Sequence, residues 1–171
     1  MAKLPPYRLQ TLLDMRQRKK EEAEKALGVA IAAHKAELDK QHQMEEELAR
    51  MVVRRDQKKR EYAEKAMRGE MSARDVIGAN TYIKHLLELE DLQKSAIEAQ
   101  KAVVEQKLQE LNAARQALVT ATQELKALEK HKEKWAKAVK KEMMMKEELE
   151  VEDIAQAQYF QKLLDEYGGE G

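Results

Sequence analysis

IEAQKAVVEQKLQELNAARQALVTATQEL, residues 97–125, carries an apolar side chain at every seventh position: Ile97, Val104, Leu111, Leu118 and Leu125. The register reaches back to Val76 and Ile83 and forward to Val139, interrupted at Glu90 and Lys132. A second series three residues on is partly apolar: Ala79, Leu86, Gln93, Gln100, Lys107, Ala114, Ala121, Leu128 and Trp135. Interleaved series of this kind are the a and d positions of a left-handed coiled coil. A mean spacing of 3.5 residues keeps one stripe turned toward a partner helix. No proline interrupts the run. The stretch predicts a long seamed helix, not a globule.

Composition agrees. The 171 residues are 37% charged and 4% aromatic, the profile of long helices and coiled coils. Lysine plus arginine and aspartate plus glutamate balance at 32 each, which argues against nucleic acid as a partner. The chain has no cysteine, so disulfides and thiolate metal sites are excluded. No apolar run has the length of a membrane span, and the first residues lack a signal-peptide core. The expectation is a soluble, cytoplasmic protein with no membrane insertion.

Pro5 and Pro6 stop any upstream helix, and Pro6 can sit in a first turn. From about residue 7 to residue 68, only Gly28 weakens a helical reading. Leu9, Leu13, Ala23 and Leu27 mark its buried stripe, continued with a shift by Ile31, Leu38, Leu48, Val52 and Tyr62. Gly69 is placed as a C-terminal cap, and Ser72-Ala-Arg-Asp75 is close to a capping box. A second helix then runs from about 73 to 165, with softening expected at Gly78–Asn80 and Met143–Met145. A frayed end follows at Gly168-Gly169-Glu170-Gly171.

Two helices joined by a turn over about 69–72 fold back antiparallel. With that turn, facing residue numbers add to roughly 141. This sets the basic cluster Arg50, Arg54, Arg55, Lys58, Lys59 near the acidic cluster Glu88, Glu90, Asp91. At 1.5 Å per residue helix 1 is roughly 90 Å long and helix 2 roughly 140 Å. The fold class is therefore all-α: a single long, asymmetric, antiparallel two-helix coiled-coil hairpin over residues 1–171. Residues from about 140 onward project beyond helix 1. That overhang still carries Met143, Met144, Met145, Leu149, Val151, Ile154, Phe160, Leu163 and Leu164, an apolar set without an internal partner.

No phosphate-binding glycine loop, paired-cysteine site or His-x-x-x-His run is present. His34, His42, His85 and His131 are scattered, and the first two lie about 80° apart around a helix, so no metal site is expected. A two-helix rod offers no shielded cleft for acid–base chemistry. No catalytic residue, cofactor or enzyme activity is expected. Three features remain. The lysine run Lys130, Lys132, Lys134, Lys137, Lys140, Lys141 is either a solvated face or a dock for an acidic surface. Met143–Met145 is either helix filler or an adaptable apolar contact. Tyr82, Leu86 and Leu89 share one helical face near the turn, as core stripe or binding surface.

Local stretches add to this pattern. Tyr7-Arg8-Leu9-Gln10-Thr11-Leu12-Leu13-Asp14-Met15-Arg16, then Glu21-Glu22-Ala23 and Leu27, open the chain. Gly69-Glu70-Met71-Ser72-Ala73 and Tyr82-Ile83-x-x-Leu86 follow the first helix, and Glu152-Asp153-Ile154-Ala155-Gln156 lies near the end. Together with the asymmetric hairpin, these resemble the FliJ/YscO family of type III secretion stalk proteins. The sequence departs from the family at Leu87 and Glu88, where a polar residue and a leucine–glutamate pair are more usual.

The resemblance implies an antiparallel coiled coil similar to the central stalk of rotary ATPases. It implies a non-enzymatic export-apparatus component at the cytoplasmic base of the secretion machine. Its partners would be the hexameric secretion ATPase, the cytoplasmic domain of the export gate and, in some systems, secretion chaperones. Leu9, Leu12, Leu13 and Arg16 match the ATPase-facing end, with Glu152, Asp153 and Ile154 joining them. The last part of helix 2 adds Lys137, Lys140, Met143 and Leu149 to that set. Tyr82, Leu86 and Leu89 match the gate-binding face. The competing reading is a generic cytoplasmic coiled-coil scaffold or tether. The long single-helix end favours the stalk, since a tether has no need of it.

Overall fold

The computed structural model describes residues 3–169. Two helices, α1 (Gln10–Met67) and α2 (Ala73–Tyr167), pack against each other as an antiparallel hairpin, with no strand among the described residues. Glu170 and Gly171 of the expected frayed end lie outside the described residues. Contacts divide the chain into a unit that holds the turn, Glu22–Val119, and a unit that holds both chain ends, Met1–Glu21 with Thr120–Gly171.

In the turn unit, α1 ends on Gly69, whose φ of 71° places it in the left-handed region open to glycine. The Glu70 amide donates to the Lys65 carbonyl at 3.0 Å and the Gly69 amide to the Ala66 carbonyl at 3.2 Å, the paired bonds of a Schellman cap. Helix α2 opens with a reciprocal box. The Asp75 amide donates to Ser72 Oγ at 3.2 Å, and the Ser72 amide donates to Asp75 Oδ2 at 2.9 Å. The Ser72 amide, and after it the Ser72 side chain, hold the Asp75 carboxyl below its ordinary pKa. Met71 and Val76, on either side of this cap, line one apolar hollow with Tyr62 and Ile83. Both ends of the turn are thus fixed by local chemistry.

Along α2 every fully buried side chain occupies an a or d position: Ala79, Glu90, Ile97, Gln100, Leu111, Ala121 and Leu125. On α1 no side chain is fully buried. Among its half-buried residues in this unit, one set alternates by three and four without a break through Ala23, Leu27, Ala30, His34, Glu37, Gln41, Met44, Leu48, Met51, Arg55, Lys58 and Tyr62, with Ala33, Leu38, Glu45, Val52 and Asp56 half-buried beside it. The stripe therefore does not shift, contrary to the reading from its most apolar residues. Ile31 is 46% exposed, and Leu38 and Val52 flank the seam. The apparent shift comes from Ala30 and Glu37, which hold the seam while a larger apolar neighbour, Ile31 or Leu38, stands one residue on.

Polar seam residues are matched across the hairpin. Arg55 Nη1 lies 3.2 Å from Glu90 Oε2, so the expected approach of the basic and acidic clusters is made by one buried pair. Gln93 Nε2 donates to the Met44 carbonyl at 3.0 Å. Gln100 Nε2 donates to the Glu37 carbonyl at 2.9 Å and to its carboxylate at 2.6 Å. Each of these bonds exists at one register only. They specify alignment more than they stabilise it, since Glu90 Oε1 and Arg55 Nε are buried without a hydrogen-bond partner in the chain.

In the unit of the chain ends, Ala121 and Leu125 are buried and Leu128, Lys132, Trp135 and Val139 half-buried. Helix α1 starts at Gln10, not Tyr7, and Pro6 stays outside it. The Gln10 amide donates to the Tyr7 carbonyl at 3.1 Å, which closes the first turn, while the Tyr7 ring turns onto α2. Helix α2 is unbroken through Gly78–Asn80 and Met143–Met145 and ends at Tyr167. No described helix is long and apolar enough to cross a membrane.

Leu111→Asp is expected to lower the melting temperature by about 10 °C or more, because it sets an unpaired charge in the seam. Leu149→Asp leaves it nearly unchanged, and thermal unfolding followed by circular dichroism separates the two. Arg55→Ala, which strands the Glu90 carboxylate, costs about 3 kcal/mol in urea unfolding, whereas Arg55→Met with Glu90→Leu recovers that loss. Asp75→Ala, which removes the carboxylate that accepts from the Ser72 amide, destabilises at neutral pH. The cap's contribution is present above the unfolded carboxylate pKa and fades as pH falls through the depressed folded value, so the penalty shrinks in acid.

Candidate functional site

Two surfaces carry the residues singled out from the sequence, one in each unit. In the unit of the chain ends, Tyr7 is buried beneath α2. Its ring lies 5.0 Å from the Trp135 ring and 5.9 Å from the His131 ring, centroid to centroid, and its hydroxyl is hydrogen-bonded to His131 Nδ1. Lys132 Nζ sits 5.9 Å from the Tyr7 ring centroid and donates to Gln10 Oε1 at 2.7 Å. The lysine at this seam position is thus held by a π face and a side-chain amide, which suits a cation next to an aromatic ring. Nothing in the reading of the sequence assigned Tyr7, His131 and Trp135 to one cluster. An aromatic residue directly after two prolines and a tryptophan at a d position were the available signal.

The residues matched to the ATPase-facing end divide into two groups. Leu13 and Arg16 are half-buried in the seam, where Arg16 pairs with Glu124, and Lys19 lies 3.7 Å from the same carboxylate. Leu9 and Leu12 face outward. Glu152, Asp153 and Ile154 do not join them. They stand on α2 about 28 Å of helix beyond the Tyr7–Trp135 contact, taking 1.5 Å per residue.

From Met144 to Gly169 every described residue is exposed except Leu163. Leu149, Ile154 and Phe160 are about 60% exposed, although all are large and apolar. Met143 is half-buried, while Met144 and Met145 are open. Lys137 is paired with Glu133 at 3.1 Å along its own helix, while Lys140 and Lys141 are exposed.

In the turn unit, Leu86 sits in the seam and is half-buried, whereas Tyr82 and Leu89 face outward. Tyr82, Leu89, Ala96 and Val103 recur every seven residues on this outer side, joined by Leu92 and Ala99. All six are exposed, Leu92 at 67%. This second apolar stripe runs next to the d positions and is masked in the sequence by the stronger a and d series. Among the described residues no cluster of three or more histidine, aspartate or glutamate side chains could hold a metal ion.

A family model described as YscO-like protein matches residues 4–164. The chain belongs to the YscO-like family. That makes it a type III secretion-associated protein of a structural, non-catalytic family. The YscO-like chain is also similar to a solved structure, CT670 of Chlamydia trachomatis, a proposed YscO homolog. The TM-score is 0.72 and the identity 22%, covering 98% of this chain and 100% of that one. At that identity the likeness concerns the fold. Comparison with curated protein sequences gives no match.

The single tryptophan of this YscO-like chain reports on the aromatic cluster. Tyr7→Ala is expected to shift Trp135 emission to the red and to raise amide hydrogen exchange over the first turns of α1. The turn unit stays protected, because the lost contacts lie wholly in the other unit.

Proposed function

We propose that the protein is a non-enzymatic stalk of a type III secretion export apparatus. In this reading its α2 overhang docks into or onto the hexameric secretion ATPase at the cytoplasmic base of the machine, and the hairpin couples that ATPase to the export gate. The observation that carries it is the exposure of Leu149, Ile154 and Phe160 on a helix that has left its internal partner behind. Large apolar side chains exposed around a single helix are a contact surface for another molecule. Family membership supplies the setting, type III secretion.

The separation of Leu9 and Leu12 from Ile154 refines the expected contact. The two sets lie at different depths along the end of α2, so a ring would engage the single-helix overhang with Met143, Leu149, Glu152, Asp153 and Ile154. Leu9 and Leu12 would sit at its entrance, with Lys137 and Lys140 between the two levels. Arg16 and Leu13 would act indirectly by holding α1 on α2. At the turn, Tyr82 and Leu89 offer the gate an exposed apolar face, and Leu86 supports that face from the seam. The same outer stripe could serve secretion chaperones.

Truncation after Met143 is expected to leave a folded hairpin, with an unchanged melting temperature, that no longer binds or stimulates the cognate ATPase. Neutralising Lys134, Lys137, Lys140 and Lys141 together should weaken association and flatten its dependence on salt. ATPase activity and co-sedimentation at low and moderate salt measure both effects. Undiminished stimulation by the truncated chain would favour a tether.

A further inference from the structure

The heptad register of the seam does not stop where α1 stops. Counting by sevens from Val139 gives Lys146, Asp153, Phe160 and Tyr167 at a, and from Trp135 it gives Glu142, Leu149, Gln156 and Leu163 at d, so half of these positions are apolar. Tyr7 and Gln10 cover α2 only as far as Trp135 and Lys132. The overhang is thus half of a coiled coil, with Leu149, Phe160 and Tyr167 exposed and Leu163 half-buried at its apolar positions. A stripe of this period fits another heptad helix.

Charge selects the partner and its direction. Five carboxylates crowd between 147 and 153: Glu147, Glu148, Glu150, Glu152 and Asp153. None has an ion-pair partner among the described residues. The next stretch, 156–162, has no acid and ends in Lys162. Two overhangs laid parallel would set the acidic block against itself. Laid antiparallel, each block meets the neutral stretch of the other. Opposite directions also bring each a position level with a d position.

The longest such overlap that leaves the seam of α1 intact is centred between 154 and 155 and runs from 142 to 167, about 38 Å. It sets Leu149 against Phe160 twice and Lys162 against Glu147 twice. It also brings Asp165 and Glu166 within a turn of the basic end at Lys140 and Lys141.

We infer that the overhang pairs antiparallel with the overhang of a second copy of this chain, with Leu149 and Phe160 in its core. Such a pair covers the exposed face when no other partner holds it. The inference concerns self-association alone and stands independently of ATPase docking.

The test uses the full chain. Sedimentation equilibrium from micromolar to millimolar concentration should show a monomer–dimer transition. Phe160→Asp should weaken it tenfold or more with no change in melting temperature. Lys162→Glu should weaken it as well, and Lys162→Glu with Glu147→Lys should restore it.

Because the chain lacks cysteine, single spin labels at Ala155→Cys and Met144→Cys read the direction. Two labels at 155 lie almost level across the pair. Two at 144 are displaced along the axis by about 30 Å more. A chain that stays monomeric throughout, equal label distances at both sites, or a dimer indifferent to Phe160→Asp would each overturn the proposal. The first of these leaves the face to a partner of another kind.

Discussion

A helix of 95 residues that carries a coiled-coil stripe along its length can be covered by a 58-residue partner over only part of it. The rest of the architecture follows from that mismatch. Where α1 is present, its weakly apolar face is enough to bury Ile97, Leu111 and Leu125. Where it is absent, the same register continues as exposed side chains. Burial of apolar area stabilises the first region, and its omission leaves the second ready for contact with another molecule.

The covered part of the seam is unusually polar for a coiled coil, and the polarity has a function in folding. A seam of leucine alone would tolerate sliding by one heptad, because each apolar layer resembles the next. Glu90 opposite Arg55 and Gln100 opposite Glu37 remove that freedom, since a slip would leave each buried polar group alone. The cost is a core with few fully buried side chains.

Each candidate surface combines seam residues with outward-facing ones. Leu13, Arg16 and Leu86 hold the hairpin together, while Leu9, Leu12, Tyr82 and Leu89 stand beside them facing solvent. Periodicity along a helix gives the angle of each residue but not whether the neighbouring helix reaches it. Leu86 and Leu89, three residues apart, therefore look equivalent in the sequence and differ in the structure.

The sequence by itself determined the helices, the turn and the unequal lengths. These depend on short-range chemistry: the seven-residue repeat, the Gly69 cap, the Ser72–Asp75 box and the two prolines before Tyr7. It also showed which segment lacked a partner, because helix length is countable. The tertiary structure alone decided which polar residues pair across the seam, that the stripe of α1 runs without a shift, and that Tyr7 leaves the helix to pack on Trp135 and His131. Those outcomes turn on the distance between two helices at a particular level. A residue's position on its own helix cannot supply that distance, because a charge or an aromatic ring is satisfied only by what stands opposite.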